Sequence, residues 1–371
     1  MKRTVGIFAF AATISPALVA HAQTAYWQST VRYDSGGQTA AATNGSGAGY
    51  DIDAHLGGSG GGNYDYAVWY DSSVWGNSYW SGGWELPYPN GTDSFDSGFW
   101  LSASADPTSS SLLYTLAFSQ TPSLKSGNLY GVTFINYQTG TYSGGSLNLG
   151  NGYGAAGSVA QGFNPSIAQA STNGQTYFLE VQNGEDESHD PAIATNHVQL
   201  VWGQLNSDGV SISWPTSNSP SWFANGWFPS VAMWPINGNT FYVAVAWQEQ
   251  EFNQYGPMDM VVGQWTVGSS TVNWTAYYSS YAVGERPSIA ICGRNRSPAV
   301  LMEVHDYGNQ GWYGYGNIEG GWTTWNGISN DGILDSGVSV NWAHVACNTF
   351  WGFESHTDKS GNIYETKFSF N

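Results

Sequence analysis

Short runs of β-branched and aromatic residues, broken by Gly, Asn, Asp and Ser, recur from one end of the chain to the other. Phe241-Tyr242-Val243-Ala244-Val245-Ala246-Trp247, Val198-Gln199-Leu200-Val201-Trp202-Gly203-Gln204-Leu205 and Met258-Asp259-Met260-Val261-Val262-Gly263-Gln264-Trp265 are typical. Such runs bounded by turn residues predict β-strands, and no stretch carries the 3.6-residue period of an amphipathic helix. The glycine-rich stretches 57–62 and 143–154 read as loops within one domain.

The runs are organised by a repeat. Pro165-Ser166-Ile167-Ala168 returns as Pro229-Ser230-Val231-Ala232 and as Pro287-Ser288-Ile289-Ala290. Weaker counterparts are Asp51 to Ala54, Gly98 to Ser102 and Val338 to Asn341, which makes six units. A second strand is expected after each, at Tyr66 to Tyr70, Leu112 to Phe118, Tyr177 to Val181, Phe241 to Trp247, Val300 to His305 and Thr349 to Phe353. A third and a fourth run follow in the clearer units. Four strands per unit predict an all-β fold, a six-bladed β-propeller with four antiparallel strands per blade. The last unit ends after its third run, whereas Ser29-Thr30-Val31-Arg32-Tyr33 resembles the fourth run Ser270 to Trp274. An N-terminal strand joining the last blade would close the ring and remove its open edges. Two stacked sandwiches are the competing architecture, but they do not require a shared four-strand unit.

Met1-Lys2-Arg3, an apolar run from Val5 to Ala20 and Ala20-His21-Ala22 match an export signal over residues 1–22, leaving a single domain at 23–371 and a secreted or periplasmic protein. No later segment is long and apolar enough to span a bilayer. Of 371 residues only nine are Lys or Arg, against 27 Asp and Glu, and the formal charge is −18. That balance excludes binding to nucleic acid and to anionic membrane through a basic patch. Cys292 and Cys347 fall just past the first strands of neighbouring units, so an oxidising compartment would allow one disulfide between them, with two buried thiols as the alternative.

Candidate chemistry collects where the second strands end. The polar residues there are Glu180 and Gln182, Gln248, Glu303 and His305, and Glu354 and His356, with Trp69 and Asp71 in the first unit. Strand alternation puts each Glu-x-His or Glu-x-Gln pair on one side of its strand. At the axial face of a propeller they would accept sugar hydroxyls, or serve as acid and base, with Glu303, His305, Glu354 and His356 the catalytic candidates. The competing reading is structural, in which they bond to backbone of the next blade. Loop aromatics include Trp222, Trp227, Phe228, Tyr255 and Trp312, and flat rings beside polar groups suit sugars, with Trp222 and Trp227 expected to be exposed. Acid-rich insertions at 183–196 and 249–258 offer oxygens to a calcium ion without the spacing of a calcium loop, so no metal ligand is assigned. Nucleophile-elbow, zincin and phosphate-loop motifs are absent from the sequence.

The order Pro-Ser-[Ile/Val]-Ala, Glu-Val-His or Glu-Val-Gln, then a Trp-ended strand resembles the repeat units of secreted bacterial β-propeller proteins, over residues 163–315 above all. Six blades rich in Trp also look like the fucose-binding propeller lectins, although this chain lacks one arginine per blade. Ser207-Asp208-Gly209 with Trp214 resembles a degenerate sialidase Asp-box with altered spacing. The resemblance implies a lectin-like protein that binds a glycan or polysaccharide. A glycoside hydrolase or polysaccharide lyase is the second expectation, and a structural interaction module the third. The oligomeric state and the sugar are not specified by these patterns.

Overall fold

The computed structural model describes residues 25–370 except 28–30, 46–49, 58–64, 72–79, 86–97, 121–123, 126–127, 130–133, 144–145, 149–154, 187–192, 218, 251–254, 294–298, 320–321, 330–338 and 350. The expected export signal therefore lies outside the described residues. Among the described residues every regular element is a strand. In chain order they are β1 (Ala25–Trp27), β2 (Val31–Thr43), β3 (Tyr50–Gly57), β4 (Asp65–Asp71), β5 (Trp80–Glu85), β6 (Gly98–Ala105), β7 (Leu113–Gln120), β8 (Leu124–Lys125) and β9 (Asn128–Leu129). Next come β10 (Phe134–Ser143), β11 (Ser146–Asn148), β12 (Ala156–Gln161), β13 (Phe163–Thr172), β14 (Gln175–Asp186), β15 (Ile193–Leu205), β16 (Ile212–Ser213), β17 (Ser221–Asn225) and β18 (Trp227–Asn237). The chain ends with β19 (Thr240–Gln248), β20 (Gly256–Thr266), β21 (Asn273–Cys292), β22 (Ala299–Tyr307), β23 (Gln310–Glu319), β24 (Trp322–Ser329), β25 (Asn341–Cys347), β26 (Gly352–Thr357) and β27 (Asn362–Phe370).

These strands pair antiparallel into four larger sheets and the two-stranded ribbon β8–β9. The first sheet runs β25-β26-β27-β2-β3-β4-β5, with β1 also on β27; the second runs β11-β10-β7-β6, with β12 on β10. The third is β13-β14-β15-β16, with β17 on β15, and the fourth is β18 through β24 in order. Two long strands each serve two neighbours. Val31 to Ser35 of β2 pair with β27 and Gly36 to Thr43 with β3, while Asn273 to Gly284 of β21 pair with β20 and Glu285 to Cys292 with β22. The expected joining of the amino-terminal strand to the last one is thus present, with Val31 opposite Glu365.

Strands β2, β6, β13, β18, β21 and β25 surround a narrow channel lined largely by Ala, Ser and Ile, with a cavity of only ≈ 80 Å³. The recurring Pro-Ser-[Ile/Val]-Ala motif builds its wall. Ser102 Oγ accepts the Ile167 N–H at 3.0 Å, Ser166 that of Val231 at 3.0 Å, Ser230 that of Ile289 at 3.0 Å, and Ser288 that of Val345 at 3.1 Å. Each serine therefore ties one inner strand to the next, and each such bond contributes about 1 kcal/mol net. At the corresponding place in β25 stands His344, and there the tie is made by Thr39, whose Oγ1 donates to Trp342 O at 2.8 Å.

Apolar packing between sheets completes the core. Between the third and fourth sheets Tyr177, Leu179, Phe241, Trp247 and Trp265 are buried together. Cys292 and Cys347 end two adjacent inner strands, β21 and β25, and form a disulfide with Cα atoms 5.2 Å apart.

Two units depart from the expected register. Asp51 to Ala54 lie in β3, a second strand paired with β2, and Trp69 and Asp71 lie in β4, a third strand. The first strand there is the glycine- and alanine-rich end of β2, which lacks the Pro-Ser motif. In the last unit the inner strand is Asn341–Cys347 rather than Val338 to Asn341, and its partner is Gly352–Thr357 rather than Thr349 to Phe353. There Trp342-Ala343-His344 occupies the place of X-Pro-Ser, which conceals the repeat.

Candidate functional site

The inner strands share an irregularity at the end where the motif begins. Their ladders shift register between Gly37 and Thr39, Phe99 and Ser102, Phe163 and Ser166, Trp227 and Ser230, Glu285 and Ser288, and Asn341 and His344. A β-bulge inserts one residue and re-aims a side chain that strict alternation would send elsewhere. In five of these bulges the extra residue is not glycine yet has positive φ: Trp100 at 56°, Asn164 at 52°, Phe228 at 49°, Arg286 at 53° and Trp342 at 54°. Left-handed backbone at a non-glycine residue costs on the order of 1 kcal/mol or more, so each position is held in place by its surroundings. Three of the holders come from the neighbouring strands: Gln38 Oε1 accepts the Trp100 N–H at 2.7 Å, Asn183 Oδ1 that of Phe228 at 3.2 Å, and Gln248 Oε1 that of Arg286 at 2.6 Å. Proline follows Asn164, Phe228 and Arg286, at positions left out of the ladder pairs where no backbone donor is needed.

These residues, with Gln38 and His344, form the mouth of the channel, a shallow dish of ≈ 50 Å³. Trp100 meets Phe163 and Phe228 edge-on with centroids 6.1 and 6.3 Å apart, and Phe228 meets Trp342 at 6.2 Å. The Arg286 guanidinium lies 4.3 Å from the centroid of the Trp342 ring, a cation–π contact. Two carboxylates flank it, with Nη2 2.7 Å from Glu285 Oε1 and 2.9 Å from Asp306 Oδ2. Burial raises the Asp306 carboxyl to about 7 against the opposing pull of Arg286. Burial, followed by the Arg286 charge, lowers His344 to about 4, so that ring is neutral at physiological pH.

The expected acid and imidazole residues lie at this end of their strands but inside the protein. Glu180, Gln182, Gln248, Glu303, Glu354 and His356 are 0% exposed and His305 is 1% exposed. His305 Nδ1 hydrogen-bonds Glu303 Oε1 at 2.9 Å, and Tyr281 donates to the same oxygen at 3.2 Å. His356 Nδ1 makes the equivalent 2.9 Å bond to Glu354 Oε1 and stacks on Tyr364. Burial raises Glu354, with His356 opposing the shift. Gln182 donates to the Gln161 carbonyl, and Glu180 has no hydrogen-bond partner for either carboxyl oxygen among the described residues, so burial raises it well above the usual range. These groups are enclosed within the protein instead of meeting solvent, and Gln182 ties the third sheet to the second. Trp227 is half-buried opposite Gln248, and Trp222 stands apart from the mouth at 56% exposure. The side chains of Trp69 and Asp71 lie outside the described residues, as do much of the acid-rich insertions. Among the described residues no group of three or more His, Cys, Asp or Glu is placed to hold a metal. The turn around Asp208 joins β15 to β16, where the carboxylate accepts the Val210 and Ser211 N–H groups, a role internal to the turn.

Sequence reasoning missed Trp100, Asn164, Arg286 and Trp342 as mouth residues. For Asn164 and Arg286 the available signal was positional, since the residue before the motif proline changes identity but occupies the bulge; Trp100 and Trp342, followed by Leu101 and Ala343, carried no such signal.

No family model and no curated protein matches the sequence. Solved structures do match its fold. Trypanosoma rangeli sialidase in complex with the inhibitor DANA gives a TM-score of 0.55 at 8% identity over 92% of this chain and 59% of that one, so the chain spans less than two thirds of the sialidase. Penicillium chrysogenum α-L-arabinanase complexed with arabinobiose gives 0.55 at 8% identity over 92% and 98% of the two chains. The PQQ-bound aldose sugar dehydrogenase of Streptomyces coelicolor gives 0.50 at 13% identity over 94% and 99%. This chain is a β-propeller. Its sheets are arranged around the channel, and the mouth lies at one end of the propeller axis.

Proposed function

We propose that this protein is a secreted, carbohydrate-binding propeller of six blades that takes a neutral sugar at the axial mouth. The six-blade reading counts the first and fourth sheets as two blades each, divided within β2 and β21. The observation that carries the functional reading is the ring of strained bulges, which brings Trp100, Phe228 and Trp342 together at the mouth beside Asn164 and Gln38. Indole faces suit the C–H faces of a sugar, and amide groups suit its hydroxyls. The dish is too small to enclose a ring, so the sugar lies on it and binding gains from a polymer that presents many copies. Glu285 and Asp306 offset the Arg286 charge, which favours uncharged sugars over carboxylated ones. The structural neighbours act on or bind saccharides according to their names, which is consistent with this class of ligand. A hydrolase or lyase built on Glu303, His305, Glu354 and His356 has less support, because these side chains are at most 1% exposed.

The test is native affinity electrophoresis against a panel of neutral and acidic polysaccharides, with calcium present. Wild-type retardation by a neutral polymer, reduced about ten-fold in affinity by Trp342→Ala with the thermal midpoint recorded alongside, is the expected outcome. Absence of retardation by the whole panel would overturn the reading, as would release of reducing or unsaturated sugar ends that depends on Glu303.

A further inference from the structure

A cavity larger than the mouth lies elsewhere. It measures ≈ 470 Å³ and opens between the second and third sheets, lined by Phe134, Gln161, Glu185, Gln199, Ser217 and Pro220. Ligand pockets commonly enclose about 300–1,000 Å³. Further along the same seam Tyr137, Phe178 and Trp214 close the space between the sheets, with centroids 5.9 and 6.1 Å apart. The gap is thus a local opening of this seam.

Gln199 is directly opposite Trp222 in the ladder between β15 and β17, and residues opposite each other share a sheet face as nearest neighbours. Trp222 therefore shares the sheet face of Gln199 at the border of the cleft, and it also borders a smaller cavity of ≈ 200 Å³ with Phe223 and Trp274. It is 56% exposed, yet it is fixed: its ring stacks on His197 with centroids 4.3 Å apart, and its Nε1–H donates to Ala224 O at 2.6 Å. One face of the indole is occupied by the imidazole and its only donor is used, so what remains is a rigid apolar face beside a polar cleft. The cleft supplies amide and hydroxyl groups from Gln161, Gln199 and Ser217, which can donate and accept, and no Lys or Arg lines it among the described residues. A preformed polar cavity with a flat aromatic beside it, and with Glu185 as its ionisable group, fits a hydroxyl-rich uncharged ligand and disfavours an anion.

We propose that this cleft is a second, lateral saccharide site, taking one or two rings of a neutral polysaccharide, with the free face of Trp222 as platform and Gln199 and Gln161 as hydroxyl partners. It stands independently of the axial mouth. A chain held at both sites would bind more tightly than at either alone.

The experiment is affinity electrophoresis in gels containing linear arabinan, xylan, mixed-linkage glucan, galactomannan or polygalacturonate. It compares wild type, Trp222→Ala, Gln199→Ala and Trp342→Ala, with thermal midpoints for each. Trp222→Ala removes an exposed side chain and should keep the wild-type midpoint. The expected result is about a ten-fold loss of affinity for at least one neutral polymer in both Trp222→Ala and Gln199→Ala, and no retardation by polygalacturonate. Unchanged retardation of both cleft variants overturns the lateral site while leaving the mouth standing if Trp342→Ala is impaired. Loss confined to the cleft variants supports the lateral site and overturns the mouth. Lack of retardation of wild type by every neutral polymer, or Trp222-dependent binding of polygalacturonate, overturns the proposal.

Discussion

Glu180, Glu303 and Glu354 occupy the same ladder position in three strands, opposite Ile167, Ile289 and Val345, the residues that follow the tying positions of the inner strands. Their surroundings differ. Across β15 Glu180 faces Val201 and its neighbour two residues on is Gln182, whose amide is committed to Gln161. Across β23 Glu303 faces Gly314, with His305 two residues on and Tyr281 donating as well. Glu354 faces Thr366, which bonds it, and has His356 two residues on. An ionised carboxylate is costly inside a protein unless it is paired and hydrogen-bonded. The same residue type at the same place is therefore a fastening in two blades and an unpartnered acid in the third, and only the neighbours decide which.

The strongest way to break this comparison is to remove an imidazole. His305→Ala should destabilise the protein by about 3 kcal/mol in urea unfolding, since Glu303 would keep only the Tyr281 hydroxyl of its two buried partners. A change below about 1 kcal/mol would show that the pair is not a fastening. The opposite change is expected at Glu180, where Glu180→Leu should stabilise by about 2 kcal/mol at pH 8. Because folding raises this carboxyl above its unfolded value of 4.5, wild-type stability falls as pH climbs from that value through the folded one. The gain from Glu180→Leu should accordingly be smaller at pH 4 than at pH 8, and a gain independent of pH would contradict the account. A subtler variant, Val201→Thr, copies the Thr366 arrangement; a hydroxyl reaching Glu180 should lower its pKa and shift stability by about 1 kcal/mol, read from urea midpoints across pH. A further effect concerns the mouth. Asp306 rises from 3.8 to about 7 on folding, so its contribution is fully present below pH 4 and is lost as pH passes 7. Asp306→Asn should flatten that segment of the stability profile, measured by thermal midpoints between pH 5 and 8.

Strand content and the antiparallel order were legible because hydrophobic runs and turn residues are local. The inner strands at Pro165, Pro229 and Pro287 were legible for a further reason: the serine after each proline makes the same bond to the next strand, so the motif persists. Where that bond is absent the pattern fades, as at Trp342-Ala343-His344, and a nearby Val-Ser-Val run imitates it. Burial was the harder question. Alternation places Glu303 and His305 on one side of a strand, but whether that side meets solvent or another sheet depends on residues far away in sequence, such as Tyr281. The bulges were illegible for a related reason, because Trp100 and Trp342 have no preference for left-handed backbone and are held there by tertiary contacts.

The pairing of Val31 with Glu365 has a consequence for biogenesis. A nascent chain cannot finish this domain until Asn362–Phe370 has emerged, and any product cut short before Asn362 leaves β2 and β26 with unsatisfied margins ready to recruit another copy.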